Sequence, residues 1–315
     1  MSTFNVYRIA LAAVVFLGTA QAAADEYDFE LGLAYANQRA ERLSAVGAGP
    51  DGPLPGFGAV HSDTDADRYT LLGTWYYSGL HEVDGPRARA AFLGRTSSLS
   101  LLYEYGEETT DWNRSGTTPP APSQPPASGT SDTDKTTIEA RLRHVWADSG
   151  WYAIVGASRL EVDEEVYDRG GDRWEAGLGK YLASATALDL RIVEDEVTGI
   201  DRTLYGLNFS HVGALPGGWQ YGSDLGIGYS DDDGDYQNYG IALSLFPTND
   251  IEFGLTYDNT EYYESTDEDI GGFASWFIRE DIEVRARYTS HELPDREGLY
   301  EHDDDSFDIG VNVRF

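Results

Sequence analysis

Charged side chains that alternate with apolar ones are the residues with the clearest chemical potential in this chain. Glu139, Arg141 and Arg143 are each separated by one apolar residue. Residues two positions apart in an extended chain point to the same side, so these three form a charged row on one face. Such a row can attract ions and orient charged solutes. The same alternation adds Arg173, Glu175, Asp189, Arg191, Glu283, Arg285, Arg287, Asp308 and Arg314 to the candidate site residues.

The elements that must carry these rows are best seen at residues 307–315. Every second residue of this stretch is apolar, namely Phe307, Ile309, Val311, Val313 and Phe315. A period of two predicts a strand with one apolar and one polar face. The stretch resembles the closing strand of Gram-negative outer-membrane barrels. That resemblance implies that the barrel-assembly machinery reads the terminal Phe315.

The alternation recurs along the chain and predicts about fourteen strands, with an error of one hairpin. The connections alternate between short turns and long or acidic segments. The long segments include Gln38–Ala66, Gly106–Asp134, which is the longest irregular region, and the last loop, Leu293–Asp305. The prolines within Gly106–Asp134 are too dense for a sheet. We therefore predict an all-β fold, a transmembrane antiparallel β-barrel with short periplasmic turns and long extracellular loops. The alternative fold is a soluble β-propeller or sandwich.

Two stretches require a further assumption about their faces. Residues 88–92 alternate with a parity opposite to that of the next strand, so we expect a β-bulge to flip the face between Gly94 and Ser98. Four apolar residues that follow the turn at 147–150 are expected on the outward face, namely Tyr152, Ile154, Leu160 and Val162.

Residues 1–24 have the composition of a secretory signal peptide, with Arg8, an apolar run and small residues at the end. We expect cleavage after Ala22 or Ala24 and a mature barrel of residues 25–315. No later segment is long and apolar enough for a transmembrane helix. The formal net charge of −33 argues against nucleic-acid binding. The chain has no cysteine, so its fold must close without disulfides.

The stretch 85–100 resembles a recurrent signature of the putative general bacterial porin family. It reads GPRARAAFLGRTSSLS, in which Gly-Pro precedes Ala-Ala-Phe-Leu, an arginine and Ser-Ser. The stretch 246–249, Phe-Pro-Thr-Asn after a strand, is similar as well. Arg87 and Arg89 stand where apolar or acidic residues are expected in relatives. The resemblance implies an outer-membrane diffusion channel and names no solute.

If the apolar parity faces lipid, the charged parity lines the barrel interior, where water or pairing makes charge tolerable. We expect a passive diffusion channel for small hydrophilic solutes or ions in the outer membrane of a Gram-negative bacterium. Its partners would be outer-membrane lipid, lipopolysaccharide and the solutes, and both a monomer and a trimer remain open. One alternative is a substrate-specific channel for an organic acid or sugar. Another is a non-conducting barrel that acts through its loops as an adhesin, receptor or structural anchor.

Acidic residues concentrate in the presumed outer loops and predict a mouth that favours cations. They are Asp63, Asp65, Asp67, Asp163, Glu164, Glu165, Asp231–Asp233, Asp235, Asp267–Asp269 and Asp303–Asp305. The run that starts at Asp231 is not an EF-hand loop. An EF-hand requires Gly at its sixth position and Glu at its twelfth, which here hold Tyr236 and Ala242. We therefore expect no dedicated metal site.

The six histidines could indicate an enzyme, because outer-membrane hydrolases place His with Asp or Ser at the barrel rim. His61, His291 and His302 are expected outside, in loops rich in Asp. None of the three lies in a recognisable nucleophile motif. The sequence therefore predicts neither an enzymatic activity nor a cofactor.

Overall fold

The computed structural model describes residues 26–45, 48–49, 52–53, 59–81, 84–115, 128–164, 168–196, 202–230, 236–262, 265–293 and 300–315. Within them, fourteen antiparallel strands form a closed barrel. This confirms the predicted fold class. None of the described helices is long and apolar enough to cross a membrane. The leader predicted at residues 1–24 lies outside the described residues.

The strands in chain order are β1 (Glu26–Ala45), β2 (Ala48–Gly49), β3 (Gly52–Pro53), β4 (Ala59–His81), β5 (Ser98–Ser115), β6 (Ser128–Trp146), β7 (Trp151–Glu164), β8 (Asp168–Ala183), β9 (Thr186–Asp195), β10 (Arg202–Ala214), β11 (Gln220–Ser230), β12 (Tyr236–Thr248), β13 (Ile251–Tyr262), β14 (Ser265–Arg279), β15 (Ile282–Leu293) and β16 (Tyr300–Arg314). β2 and β3 pair only with each other, and the other fourteen form the barrel. We call the end at which β12 turns into β13 the short-turn end, and the opposite end the long-loop end.

The outer face of the barrel is apolar because alternate residues of its strands are aromatic or aliphatic. Leu255 is 67% exposed and Ile227 is 61% exposed, although both lie in the middle of a strand. Apolar surface of this kind is unfavourable in water by about 25 cal/mol per Å², but not in lipid. Because the barrel is closed, its strands have no free edge, which is the condition for strands in hydrocarbon. The outer face therefore has the properties of a membrane-facing surface.

β16 closes the barrel by pairing with β1. Leu31 of β1 lies opposite Val313 of β16 in this register. The backbone N–H of Phe315 donates to the carbonyl of Phe29 at 2.8 Å, and the Phe315 carbonyl accepts from the N–H of Asp28 at 2.9 Å. The alternating stretch at the end of the sequence is thus the last strand of the barrel, as predicted.

The strands on one side of the barrel are longer than predicted. β1, β4, β5 and β6 contain 20, 23, 18 and 19 residues, whereas β9 contains 10. Since about 9–11 residues cross a bilayer, these four strands continue beyond it at the long-loop end. The irregular regions predicted at Gln38–Ala66 and Gly106–Asp134 are wrong where the strands extend into them. Both faces of the extensions are polar, so the period of two disappears while the backbone pairing continues.

Most of the acidic residues expected in loops lie on strands for the same reason. Asp63, Asp65 and Asp67 are in β4, Asp163 and Glu164 in β7, Asp267–Asp269 in β14 and Asp303–Asp305 in β16. The remaining members, Glu165, Asp231–Asp233 and Asp235, lie outside the described residues. The acids that are described still gather towards the long-loop end.

The face predicted for β7 is wrong. Tyr152 and Ile154 are 3% and 4% exposed, and both lie inside the barrel, whereas Trp151 and Val155 of the opposite parity are exposed. Tyr152 and Ile154 pack with other buried residues, among them Tyr181. The inner face is therefore apolar near the short-turn end, and an apolar parity does not identify the lipid side there.

The strand and β-bulge predicted for residues 88–98 are also wrong. Arg87–Arg89 form a 3₁₀ turn, and Ala90–Leu93 form a single helical turn, α1. Arg95 then adopts a positive φ of 52°, and β5 begins only at Ser98. This connection leaves the barrel wall and contacts residues on the inner face of the barrel. It therefore lacks the neighbouring strands that a β-conformation requires.

Candidate functional site

The predicted charged residues all lie on the inner face of the barrel, opposite in parity to the exposed apolar residues. They come from five strands: β6 (Glu139, Arg141, Arg143), β8 (Arg173, Glu175), β9 (Asp189, Arg191), β15 (Glu283, Arg285, Arg287) and β16 (Asp308, Arg314). The strands that carry them form two groups on the barrel wall. The structure brings some members of each group into direct contact.

The first group centres on Glu175. Arg141 Nε lies 2.6 Å from Glu175 Oε1, and Arg191 Nη1 lies 3.7 Å from Glu175 Oε2. Arg191 Nε also lies 2.6 Å from Asp189 Oδ1. The Tyr152 hydroxyl donates to the second oxygen of Asp189 at 2.9 Å. Alternating charges on β6, β8 and β9 therefore neutralise each other along the wall.

The second group lies at the junction of β14, β15, β16 and β1. Glu283 accepts hydrogen bonds from Asn312 Nδ2 at 2.8 Å and from the Ser275 hydroxyl. Arg314 Nε lies 2.7 Å from Glu30 Oε2, and both side chains are almost completely buried. Sequence reasoning did not select Glu30, although it has the inward parity of β1.

Six predicted residues enter neither group: Glu139, Arg143, Arg173, Asp308 and the pair Arg285 and Arg287 on β15. In that pair, Arg285 Nε is buried and has no hydrogen-bond partner among the described residues. Arg287 Nη2 donates to the Thr256 hydroxyl at 3.4 Å. Neither guanidinium group of this adjacent pair on the inner face of β15 forms an ion pair with a described carboxylate.

Several inner side chains lie flat along the wall instead of pointing to the barrel axis. Phe273 of β14 covers Gly254 of β13 so closely that a Cβ at position 254 would overlap its ring. Asn312 of β16 covers Gly32 of β1 in the same way. Because glycine has no side chain, Phe273 and Asn312 have room to lie against the wall. The middle of the barrel is wider as a result.

The connection Asp84–Ser97, which we call the inner segment, crosses the short-turn end of the barrel. The backbone N–H of Arg87 donates to the carbonyl of Asn249, in the β12–β13 turn, at 2.8 Å. The Arg87 side chain forms an ion pair with Asp250 and lies 3.4 Å from Glu280 Oε1. Arg314 Nη1 donates to the Arg87 carbonyl at 3.3 Å. The first part of the segment is thus held at the turns between later strands.

Arg89 attaches the segment to the inner wall beyond those turns. Its Nη2 lies 2.7 Å from Asp224 Oδ2 of β11, and its Nε lies 3.9 Å from Glu252 Oε1 of β13. Its Nη2 also donates to the Ser244 hydroxyl of β12 at 3.3 Å. Three neighbouring strands therefore contact one guanidinium group.

The second part of the segment is held by β6 and β8. The Tyr181 hydroxyl donates to the Phe92 carbonyl at 2.9 Å, and Arg143 Nη1 donates to the Thr96 carbonyl at 3.1 Å. The N–H of Val145 donates to the Ser97 hydroxyl at 2.9 Å. Arg143 thus anchors the inner segment instead of joining the predicted charged row. The predicted site residues did not include Arg87, Arg89 and their partners. The only sign of them in the sequence was the occurrence of two arginines in an otherwise apolar motif.

Two of the histidines considered as signs of an enzyme contact carboxylates towards the long-loop end of the barrel. His61 lies on β4 and His291 on β15, so placing them in loops was wrong. His61 Nε2 is 3.3 Å from Asp63, and His291 bonds to Asp269. His302 lies on β16, and its side chain is outside the described part of the chain.

No family model matches the chain, and no curated protein matches it either. Among solved structures, the outer membrane protein Omp33 of Acinetobacter baumannii is similar, with 15% identity and a TM-score of 0.55 over 93% of this chain and 100% of that one. The transport unit of the Escherichia coli autotransporter AIDA-I has 8% identity and a TM-score of 0.46, covering 98% and 97% of the two chains. Pseudomonas aeruginosa OccK7 has 11% identity and a TM-score of 0.41, covering 91% and 99%. The similarity to Omp33 shows that the chain has the fold of an outer-membrane β-barrel.

Proposed function

We propose that this protein is an outer-membrane porin, a passive diffusion channel for small hydrophilic solutes or ions in a Gram-negative bacterium. The observation that carries the proposal is the contrast between the two faces of the closed barrel. The outer face is apolar, whereas the inner face carries charged side chains such as Glu175 and Arg191. Charges inside a membrane protein are retained where they contact water or each other. No catalytic step is part of the proposal.

The orientation follows from the lengths of the connections. In outer-membrane barrels the short turns face the periplasm and the longer loops face outwards. The short-turn end, with the inner segment, is then periplasmic, and the extended strands β1, β4, β5 and β6 stand outside the membrane. Their acidic residues make the outer mouth negative and attract cations. The resemblance of residues 85–100 to the putative general bacterial porin family supports the same function.

A second candidate is a substrate-specific channel for an organic acid. The observation that favours it is the pair Arg285 and Arg287, whose guanidinium groups face the interior without a described carboxylate partner. Guanidinium groups bind carboxylates through paired hydrogen bonds. A carboxylate solute could therefore bind at this wall while it crosses.

The test is the conductance of refolded residues 25–315 in a planar bilayer under a KCl gradient. We expect stable conductance steps and a reversal potential of the sign that indicates cation preference. The variant R285Q/R287Q should increase the cation preference, because two positive groups leave the inner face. The matched control R159Q removes an arginine that is 65% exposed in β7 and should leave the reversal potential unchanged. Repeated insertion without conductance would contradict the proposed channel. Organic acids that block the wild type but not R285Q/R287Q would support the second candidate.

A further inference from the structure

The inner segment has contacts that a simple periplasmic turn does not need. Resting on the proposed channel function, we propose that the inner segment is the size-limiting constriction of the channel and that Arg87 and Arg89 hold it in place as latch residues. The constriction is then built from a periplasmic connection, and breaking the latch widens the pore.

The first step is that the segment spans the lumen. It connects β4 and β5, which are the second and third of the fourteen strands around the barrel. Arg89 contacts Asp224 on β11 and Glu252 on β13, the ninth and eleventh strands. A chain that starts at one wall and is bonded to the opposite wall must cross the opening between them.

The second step is that the two sides of the segment are attached differently. Towards β4, Ala90 packs against the buried side chains of Tyr76 and Leu80. Towards β7 and β8, Phe92 packs against a buried cluster that contains Tyr152 and Tyr181. These apolar contacts exclude water, so solutes do not pass on these sides.

Towards β11–β13 the attachment is polar. Arg87 and Arg89 are 22% and 21% exposed, and their partners are carboxylates of the wall and of two turns. Because both arginines are partly exposed and their contacts are polar, we place the route for hydrophilic solutes on this side. The opening there is bordered by guanidinium groups and by Asp224, Asp250 and Glu252, so its width depends on how closely the latch residues hold the segment to the wall.

The third step is that the segment has little structure of its own. It contains a 3₁₀ turn of three residues and a helical turn of four. Helices this short are not stable in water without tertiary contacts. Its position across the lumen therefore depends on its anchors, and the loss of the ion pairs releases the polar side first.

The experiment replaces the latch by a reversible covalent bond. The chain has no cysteine, so R87C/N249C carries a single thiol pair. The 2.8 Å hydrogen bond from the N–H of residue 87 to the carbonyl of residue 249 brings the two Cα atoms close to disulfide range. Conductance and the size of neutral polymers that enter the pore are measured on the oxidised and the reduced forms of the same protein.

We expect the disulfide to form, which a gel shift with a thiol reagent detects. The oxidised form should conduct like the wild type, and the reduced form should show a several-fold higher conductance and admit larger polymers. The variant R89A should move in the same direction as the reduced form. The control R39A removes an ion-paired arginine that is 72% exposed at the long-loop end, and it should conduct like the wild type.

The outcomes separate the latch from the channel. Equal conductance of the oxidised and reduced forms, with a conducting wild type, would overturn the latch and leave the channel. A disulfide that does not form would overturn the position of the segment. A silent wild type with a conducting reduced form would support the latch and show that the resting barrel is closed. Silence in every form would overturn both proposals.

Discussion

At the scale of residues, Phe273 shows how a large inner side chain can lie along the wall instead of filling the barrel interior. Its ring lies on the wall over Gly254, where a Cβ would overlap it. The variant G254A must push the ring towards the axis, so we expect a lower conductance without loss of the barrel. Single-channel recording checks this. G73A is the matched control, because a Cβ at Gly73 would have no heavy atom within 4 Å. Equal conductance of G254A and the control would contradict the role of the glycine.

The direction in which a side chain points was predictable from the sequence, but the residues that it contacts were not. Arg141, Glu175 and Arg191 have the inward parity that the alternation indicates, because side-chain direction in a strand depends only on the period of two. The register between neighbouring strands determines that Glu175 contacts both arginines. This register cannot be read from the sequence of a single strand. Arg143 has the same parity but bonds to the Thr96 carbonyl of the inner segment, which no periodicity reveals.

At the scale of elements, the junction between β1 and β16 depends on a buried ion pair. Arg314 and Glu30 are 9% and 11% exposed, and their contact is 2.7 Å long. R314M leaves the Glu30 carboxylate without this partner, which typically costs about 3–5 kcal/mol of unfolding free energy. Urea unfolding of the refolded barrel in detergent measures this cost.

The controls for this prediction distinguish the buried pair from a general effect of charge. R39M breaks an exposed pair with Asp65 and should cost about 0–1 kcal/mol. The double variant E30Q/R314M removes both buried charges and should recover part of the loss. A stability of R314M equal to that of R39M would show that the junction does not depend on the pair.

Elements with a clear alternation were predicted well, and those inside the barrel were not. β16 has an apolar outer and a polar inner face, so its type and direction followed from its residues. β7 failed because Tyr152 and Ile154 belong to an inner apolar cluster. Residues 87–93 failed because their alanines and arginines alternate as in a strand while tertiary contacts hold them as short helical turns.

At the scale of the whole molecule, the barrel is uneven in height and in charge. β4 contains 23 residues and β9 contains 10, so one side stands well above the membrane. The described acids gather at that end, in a chain with a formal net charge of −33. The fold class and strand number were predictable because each strand repeats the same signal. The unequal lengths of the strands were not predictable, because the strand extensions are polar on both faces.

The negative outer mouth gives a testable dependence on salt. Charges in water act over about 10 Å in 0.1 M salt and about 3 Å in 1 M salt. We therefore expect the permeability ratio of K⁺ to Cl⁻ to fall when the mean KCl concentration rises over this range, as measured by reversal potentials. D258N/D267N, which removes two charges near the long-loop end of β13 and β14, should lower the ratio at low salt and change it little at high salt. A ratio that is independent of salt would contradict a selectivity set by the negative outer mouth, because charges in water are screened by mobile ions.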